Sequence, residues 1–115
     1  MRIMIVEDQA PIAQNLKELL EHEGHHTQMA ATLAAGRSML RGRHPDLVFL
    51  DINLPDGSGL DLLVYADAVK FIIITGSPTE ETVNTAFDHG AVAYLVKPFT
   101  LQDVLDAIAL AAGET

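Results

Sequence analysis

Leu47-Val48-Phe49-Leu50-Asp51-Ile52-Asn53-Leu54-Pro55-Asp56-Gly57 is the stretch whose reading decides the fold. Four apolar residues run straight into one acid. A short apolar run bounded by turn residues reads as a strand buried on both faces. Asp51 then ends that strand, and the chain turns at once through Pro55-Asp56-Gly57. A carboxylate is costly inside a core and useful at the lip of a crevice. Alone it is an ordinary strand terminus; it gains meaning only if other strands end in matching chemistry.

They do. Arg2-Ile3-Met4-Ile5-Val6 is a second buried-strand pattern and ends in Glu7-Asp8. Phe71-Ile72-Ile73-Ile74 is a third, ending in Thr75-Gly76, and Val92 to Val96 leads into Lys97-Pro98. His25 to Ala30 is a polar strand and so suits a sheet edge. Helical spacing fills the intervals. Ile12, Leu16, Leu19 and Leu20 mark a helix from Pro11 to Glu23. Thr32 caps another with Leu33, Met39 and Leu40 inward. A short helix is expected from Gly59 to Ala66. Ser77-Pro78-Thr79-Glu80 reads as a capping box opening a helix with Val83, Ala86 and Phe87 inward. Thr100 with Asp103 caps a last helix with Leu101, Val104, Leu105 and Ile108 inward. Met4, Met29 and Met39 read as core or core rim.

Strict strand–helix alternation implies a parallel sheet with helices on both faces. The expected fold is a doubly wound, flavodoxin-like α/β domain. Its most apolar strands are central, giving the order 2-1-3-4-5. The 115 residues fit one domain, expected to span residues 1–115. With 49% apolar residues the chain is globular. It lacks cysteine, which excludes disulfides and thiolate chemistry and fits a cytoplasmic protein. A net charge of −9 argues against direct nucleic-acid binding. Arg37, Arg41 and Arg43 read as a solvated helix end. No apolar run approaches the roughly 18 residues of a membrane helix.

In a parallel sheet all carboxyl ends share one side. Glu7, Asp8, Asp51, Thr75 and Lys97 therefore meet at one edge, and the strand order switches between the first and third strands. Crowded carboxylates repel, and a hard cation relieves them. Oxygen donors without His or Cys favour Mg2+. A carboxylate, a cation, a hydroxyl and an ammonium in one crevice suit a phosphoryl group, with Asp as nucleophile.

These residues resemble the receiver domain of bacterial two-component response regulators. The likeness covers essentially the whole chain. It is carried by Glu7-Asp8, by Asp51-Ile52-Asn53-Leu54-Pro55-Asp56-Gly57-Ser58-Gly59, by Thr75-Gly76 and by Tyr94-Leu95-Val96-Lys97-Pro98-Phe99. The resemblance implies Asp51 as phosphoacceptor. It implies Mg2+ held by Asp8, Asp51 and the Asn53 main-chain carbonyl, with Glu7 assisting through water. It implies Lys97 and Thr75 on the phosphoryl group, a cis proline at Pro98, and Thr75 with Tyr94 as a switch. The implied donor is a phosphohistidine on a sensor histidine kinase or phosphotransfer protein. The implied output is a protein surface on the fourth helix, fifth strand and fifth helix, with a homodimer possible there.

Two features depart from the family pattern. The acid pair opens with Glu rather than Asp. Only residues 60–70 separate Gly59 from Phe71, several fewer than usual, so either the third helix is about a turn short or its exit loop is cut. Two other functions fit parts of the pattern. An aspartyl-nucleophile phosphatase would want a second Asp two residues after Asp51, where Asn53 stands. A receiver-like binding module without phosphoryl chemistry would be expected to lack Asp51 or Lys97.

Overall fold

In the computed structural model, which describes residues 1–42 and 44–113, the chain runs β1 (Arg2–Val6), α1 (Ala10–His22), β2 (His26–Ala30), α2 (Leu33–Arg41) and β3 (Leu47–Asp51). Two short strands follow, β4 (Asn53–Leu54) and β5 (Gly57–Ser58), then a 3-10 helix (Gly59–Tyr65). The remainder is β6 (Lys70–Thr75), α3 (Glu80–Asp88), β7 (Ala93–Val96) and α4 (Leu101–Ala111). Arg43, one of the three arginines singled out above, and Glu114 and Thr115 lie outside the described residues.

Five strands pair in parallel in the order β2-β1-β3-β6-β7. Counted among themselves, these are the expected strands 2-1-3-4-5. β4 and β5 form a separate antiparallel hairpin. Alternation along β3 divides the core in two. Val48 and Leu50 pack with Leu33, Leu40, Leu62 and Phe71 on the face covered by α2, the 3-10 helix and α3. Leu47 and Phe49 pack with Leu16, Leu20, Ile72 and Val104 on the face covered by α1 and α4. All five residues of β3 are buried, as a central parallel strand requires.

The helix starts follow local capping chemistry. Thr32 Oγ1 accepts the Ala35 N–H at 3.0 Å. Thr100 and Asp103 form a reciprocal capping box. The expected box at Ser77 is corrected. Thr79 is the cap, its hydroxyl accepting the Thr82 N–H at 3.1 Å. The Ser77 N–H instead donates to Thr75 Oγ1 at 3.2 Å, so Ser77 is tied back to β6 and the helix starts later.

Several inward assignments are also corrected. Phe87 and Leu101 are 41% and 39% exposed, and Met29 lies exposed on the edge strand β2. Only Ala86 of α3 is fully buried, because β7 presents Tyr94 and Val96 outward and gives α3 little to pack on. In α4 the buried set is Val104, Ala107 and Ala111, with Leu105 and Ile108 at its margin.

The short crossover solves its length problem by changing helix type. The expected helix from Gly59 to Ala66 is a seven-residue 3-10 helix. A 3-10 helix rises about 2.0 Å per residue and an α-helix about 1.5 Å. Seven residues therefore span roughly 14 Å rather than roughly 10.5 Å. The segment still buries Leu62 and Leu63 against α2 and the sheet.

Candidate functional site

Every strand of the sheet ends at the same edge, and β1 and β3 are neighbours there with Val6 paired to Leu50. The next residues are Glu7 and Asp8 on one side and Asp51 on the other. One carboxylate oxygen from each of Glu7, Asp8 and Asp51 lies within 4.8 Å of the others. Glu7 and Asp51 are buried, while Asp8 faces solvent. Lys97, at the end of β7, reaches across β6. Its Nζ lies 2.8 Å from Glu7 Oε2 and 3.2 Å from Asp51 Oδ2, and it donates to Gln9 Oε1 at 3.1 Å. The Lys97–Pro98 peptide is cis.

Two backbone amides orient the acids. Gln9 N–H donates to Glu7 Oε1 at 3.0 Å, and Asn53 N–H donates to Asp51 Oδ1 at 3.0 Å. Gly59 closes the loop behind Asp51. Its N–H donates to the Ile52 carbonyl at 2.6 Å, and a Cβ built on it would stand 2.0 Å from the Asp51 carbonyl oxygen. No side chain fits there. Thr75 is buried at the end of β6.

The electrostatics follow from two buried acids sharing one cation. Burial pushes the Glu7 carboxyl above its ordinary value; Lys97 and the Gln9 N–H pull it back only in part, and the Asp51 charge adds to the rise. Burial alone would lower the Lys97 ammonium, but its contacts with Glu7 and Asp51 outweigh that and raise it. The two directions describe one imbalance. The cation is well served, and the deficit falls on Glu7, whose side chain is fully shielded from solvent.

The donor set suits a hard divalent ion. Three carboxylates converge with neither His nor Cys among them. The contact of Lys97 with Glu7 Oε2 is an ion pair without hydrogen-bond alignment, so that buried oxygen has no aligned donor. Such an atom accommodates a cation or a cation-bound water. Asn53 is exposed, and its side chain offers no carboxyl for acid–base chemistry two residues after Asp51.

The family model described as "Response regulator receiver domain" matches residues 3–109. The chain belongs to the response regulator receiver family.

The receiver is similar to the transcriptional regulatory protein PdtaR of Mycobacterium tuberculosis, with 35% identity over 116 residues, 97% of this chain and 57% of that protein. It is 36% identical over 105 residues to the KDP operon transcriptional regulatory protein KdpE of Escherichia coli, covering 89% of this chain and 47% of that protein. The receiver thus spans about half the length of the curated relatives it matches. Among solved structures it is similar to a CheY-like response regulator receiver domain protein from Methanospirillum hungatei JF-1, with TM-score 0.87 and 34% identity over 93% of this chain and 89% of that one. Receiver domains are signalling phosphoacceptors rather than classical enzymes, which leaves the phosphatase and the phosphate-independent binding module without support.

The structure thus brings Glu7, Asp8, Asp51 and Lys97 together, with Thr75 at the adjoining strand end. Tyr94 stands apart on the outer face of β7, 45% exposed, with its ring against Phe87. Sequence reasoning missed Gln9, which shares Lys97 with the acids, and Asp56, which bonds a helix 22 and 23 residues away. Gln9 could have been suspected from its place directly after the acid pair. Nothing local betrayed the partners of Asp56. Among the described residues no helix is long and apolar enough to cross a membrane.

Proposed function

We propose that this chain, as a single receiver domain over residues 1–115, takes a phosphoryl group onto Asp51 from a phosphohistidine. The donor is a sensor histidine kinase or a phosphotransfer protein of the cytoplasm. The observation that carries this reading is the meeting of Glu7, Asp8, Asp51 and Lys97 where the strand order switches.

In the forward step an Asp51 carboxylate oxygen bonds to phosphorus as the P–N bond of the donor breaks. The departing imidazole nitrogen keeps the bond's electron pair and takes up a proton. Asn53 N–H steadies the second Asp51 oxygen. Lys97 turns from the carboxylates toward a phosphoryl oxygen, and the Thr75 hydroxyl donates to another. Asp8, Asp51 and the Asn53 main-chain carbonyl would hold Mg2+, with Glu7 assisting through water. The ion's chemistry is charge neutralisation of the phosphoryl oxygens. The receiver catalyses this transfer and its slow hydrolytic reversal. A cleft of about 390 Å³, lined by Gln9, Ile12, Asn15, Pro98 and Phe99, adjoins Lys97.

Output runs from Thr75 and Tyr94 to the surface of α3, β7 and α4. These are the fourth helix, fifth strand and fifth helix of the family pattern, since a 3-10 helix stands third. Phe87, Tyr94, Val96, Leu101 and Leu110 are exposed there, an apolar set that suits a second copy. The test is incubation with acetyl phosphate and Mg2+ followed by intact mass. One phosphoryl adduct is expected, absent from Asp51→Asn. An adduct persisting in that variant at the wild-type rate overturns the assignment.

A further inference from the structure

The loop after β3 is a hairpin that its own turn does not hold. Asn53 pairs with Ser58 and Leu54 with Gly57, leaving Pro55 and Asp56 as a two-residue connection. The two-residue turns that match strand twist are the primed types, which need positive φ at the first or both central positions. Proline is held near about −65°. Among the described residues no non-glycine residue has positive φ. Neither primed turn is open to Pro55-Asp56. Two strands of two residues each, joined by a mismatched turn, need support from outside the turn, which buried Leu54 and the Gly59 N–H on the Ile52 carbonyl supply only at the hairpin's base.

Asp56 supplies an outside anchor. The Leu33 N–H donates to its Oδ1 at 2.7 Å and the Ala34 N–H to its Oδ2 at 3.0 Å. These are the first two amides of α2, which have no acceptor within the helix. The carboxylate also sits at the positive end of the helix dipole. Gly57 presses the tip onto the same residue. It has φ +151°, and a Cβ there would lie 3.0 Å from Leu33 Cδ2. At the end of β2, three residues before α2 begins, the Ala30 carbonyl accepts the Glu7 N–H at 3.0 Å. The segment after Asp51 is thus braced against the start of α2.

The geometry points to Asp56 as the positioning residue that fixes the Asn53 segment for metal binding. The inference rests on the reading above, in which the Asn53 main-chain carbonyl is a Mg2+ ligand. Asp56 takes no part in coordination. It holds the hairpin whose first residue carries that ligand, and Mg2+ tolerates little departure from octahedral placement. The rival role is plain helix capping. Thr32 separates the two, because it caps the same helix through Ala35 and bonds nothing in the hairpin.

The experiment titrates the full chain with Mg2+, following the amide resonances of Asp51 and Asn53 by NMR, alongside metal-free melting. Asp56→Ala and Thr32→Ala are expected to lower the melting temperature comparably. Only Asp56→Ala should raise the Mg2+ dissociation constant, by about tenfold, the usual scale for loss of an outer supporting group. Asp56→Asn, which keeps one acceptor oxygen, should fall between and remains informative if the alanine variant does not fold. Wild-type affinity in both Asp56 variants overturns the inference, as does an equal loss in Thr32→Ala. Failure of the wild-type chain to bind Mg2+ overturns the metal reading itself, and this inference with it.

Discussion

Tyr94 lies edge-on to Phe87, with ring centroids 6.2 Å apart and planes at 83°. β7 and α3 are joined by this contact on an otherwise exposed surface. An edge-to-face pair contributes about 0.5–1.5 kcal/mol beyond its buried area. Under the proposed switch, this is the contact that a phosphoryl group on Asp51 would have to overcome. Beryllofluoride, standing in for the phosphoryl group, should move Tyr94 off Phe87 and concentrate NMR shift changes in residues 75–90 and 93–99. Phe87→Ala should favour the inward rotamer without any ligand, by roughly fivefold for a loss of about 1 kcal/mol. Thr75→Ala should blunt the response while leaving Asp51 open to labelling. A Tyr94 that stays in place throughout defeats this switching account.

Mg2+ should stabilise the fold through linkage. At a concentration about 100 times its dissociation constant, the ion adds about 2.7 kcal/mol. Asp8 faces solvent, so Asp8→Ala should change the metal-free melting temperature little and remove most of the Mg2+-dependent rise. Melting curves with Mg2+ and with excess chelator give the comparison. A full rise in the variant would mean the ion binds elsewhere.

Lys97 is the counter-ion of two buried acids, and losing it leaves both uncompensated. Lys97→Met should cost about 3 kcal/mol near neutral pH, the low end for breaking a buried pair. Adding Glu7→Gln should restore part of that loss, because Glu7 is the more deeply shielded acid. Urea unfolding of the single and double variants measures both steps. Independent, additive losses would show that Glu7 and Lys97 are not coupled.

Asp56 should make stability depend on pH at the acid end. The N–H groups of Ala34 and Leu33 hold its carboxyl below the ordinary value of 3.8. The folded pKa is then lower than the unfolded one. The stabilisation is present above the unfolded value and is lost as pH falls through the folded one. The gap in melting temperature between wild type and Asp56→Ala should be open at neutral pH and narrow below about 3.8. A gap independent of pH would assign the effect to something other than the carboxylate.

The sheet was legible because each strand wrote its own burial into the sequence. β1, β3 and β6 are apolar runs, β2 is polar, and parallel geometry alone gathers Glu7, Asp8, Asp51 and Lys97. Failures came where competing local signals or distant partners decide. Ser77 and Thr79 are both competent caps, and the choice turned on the Thr75 hydroxyl taking the Ser77 amide. Phe87 and Leu101 fit helical spacing, but the sheet edge beside them has too little surface to cover them. Asp56 reads as a turn residue, and its partners appear only once α2 is folded against the hairpin.

The 3-10 crossover leaves the domain without slack on one flank. A 3-10 helix can gain residues by relaxing into an α-turn, but it is already the more extended form and cannot yield further length cheaply. Insertions between Tyr65 and Lys70 should be absorbed, whereas each deletion must be met by unravelling Leu62 and Leu63 from the core. A taut span is also a poor moving part. Movement on this face of the sheet should then fall to its neighbour α3, in which Ala86 is the one fully buried residue.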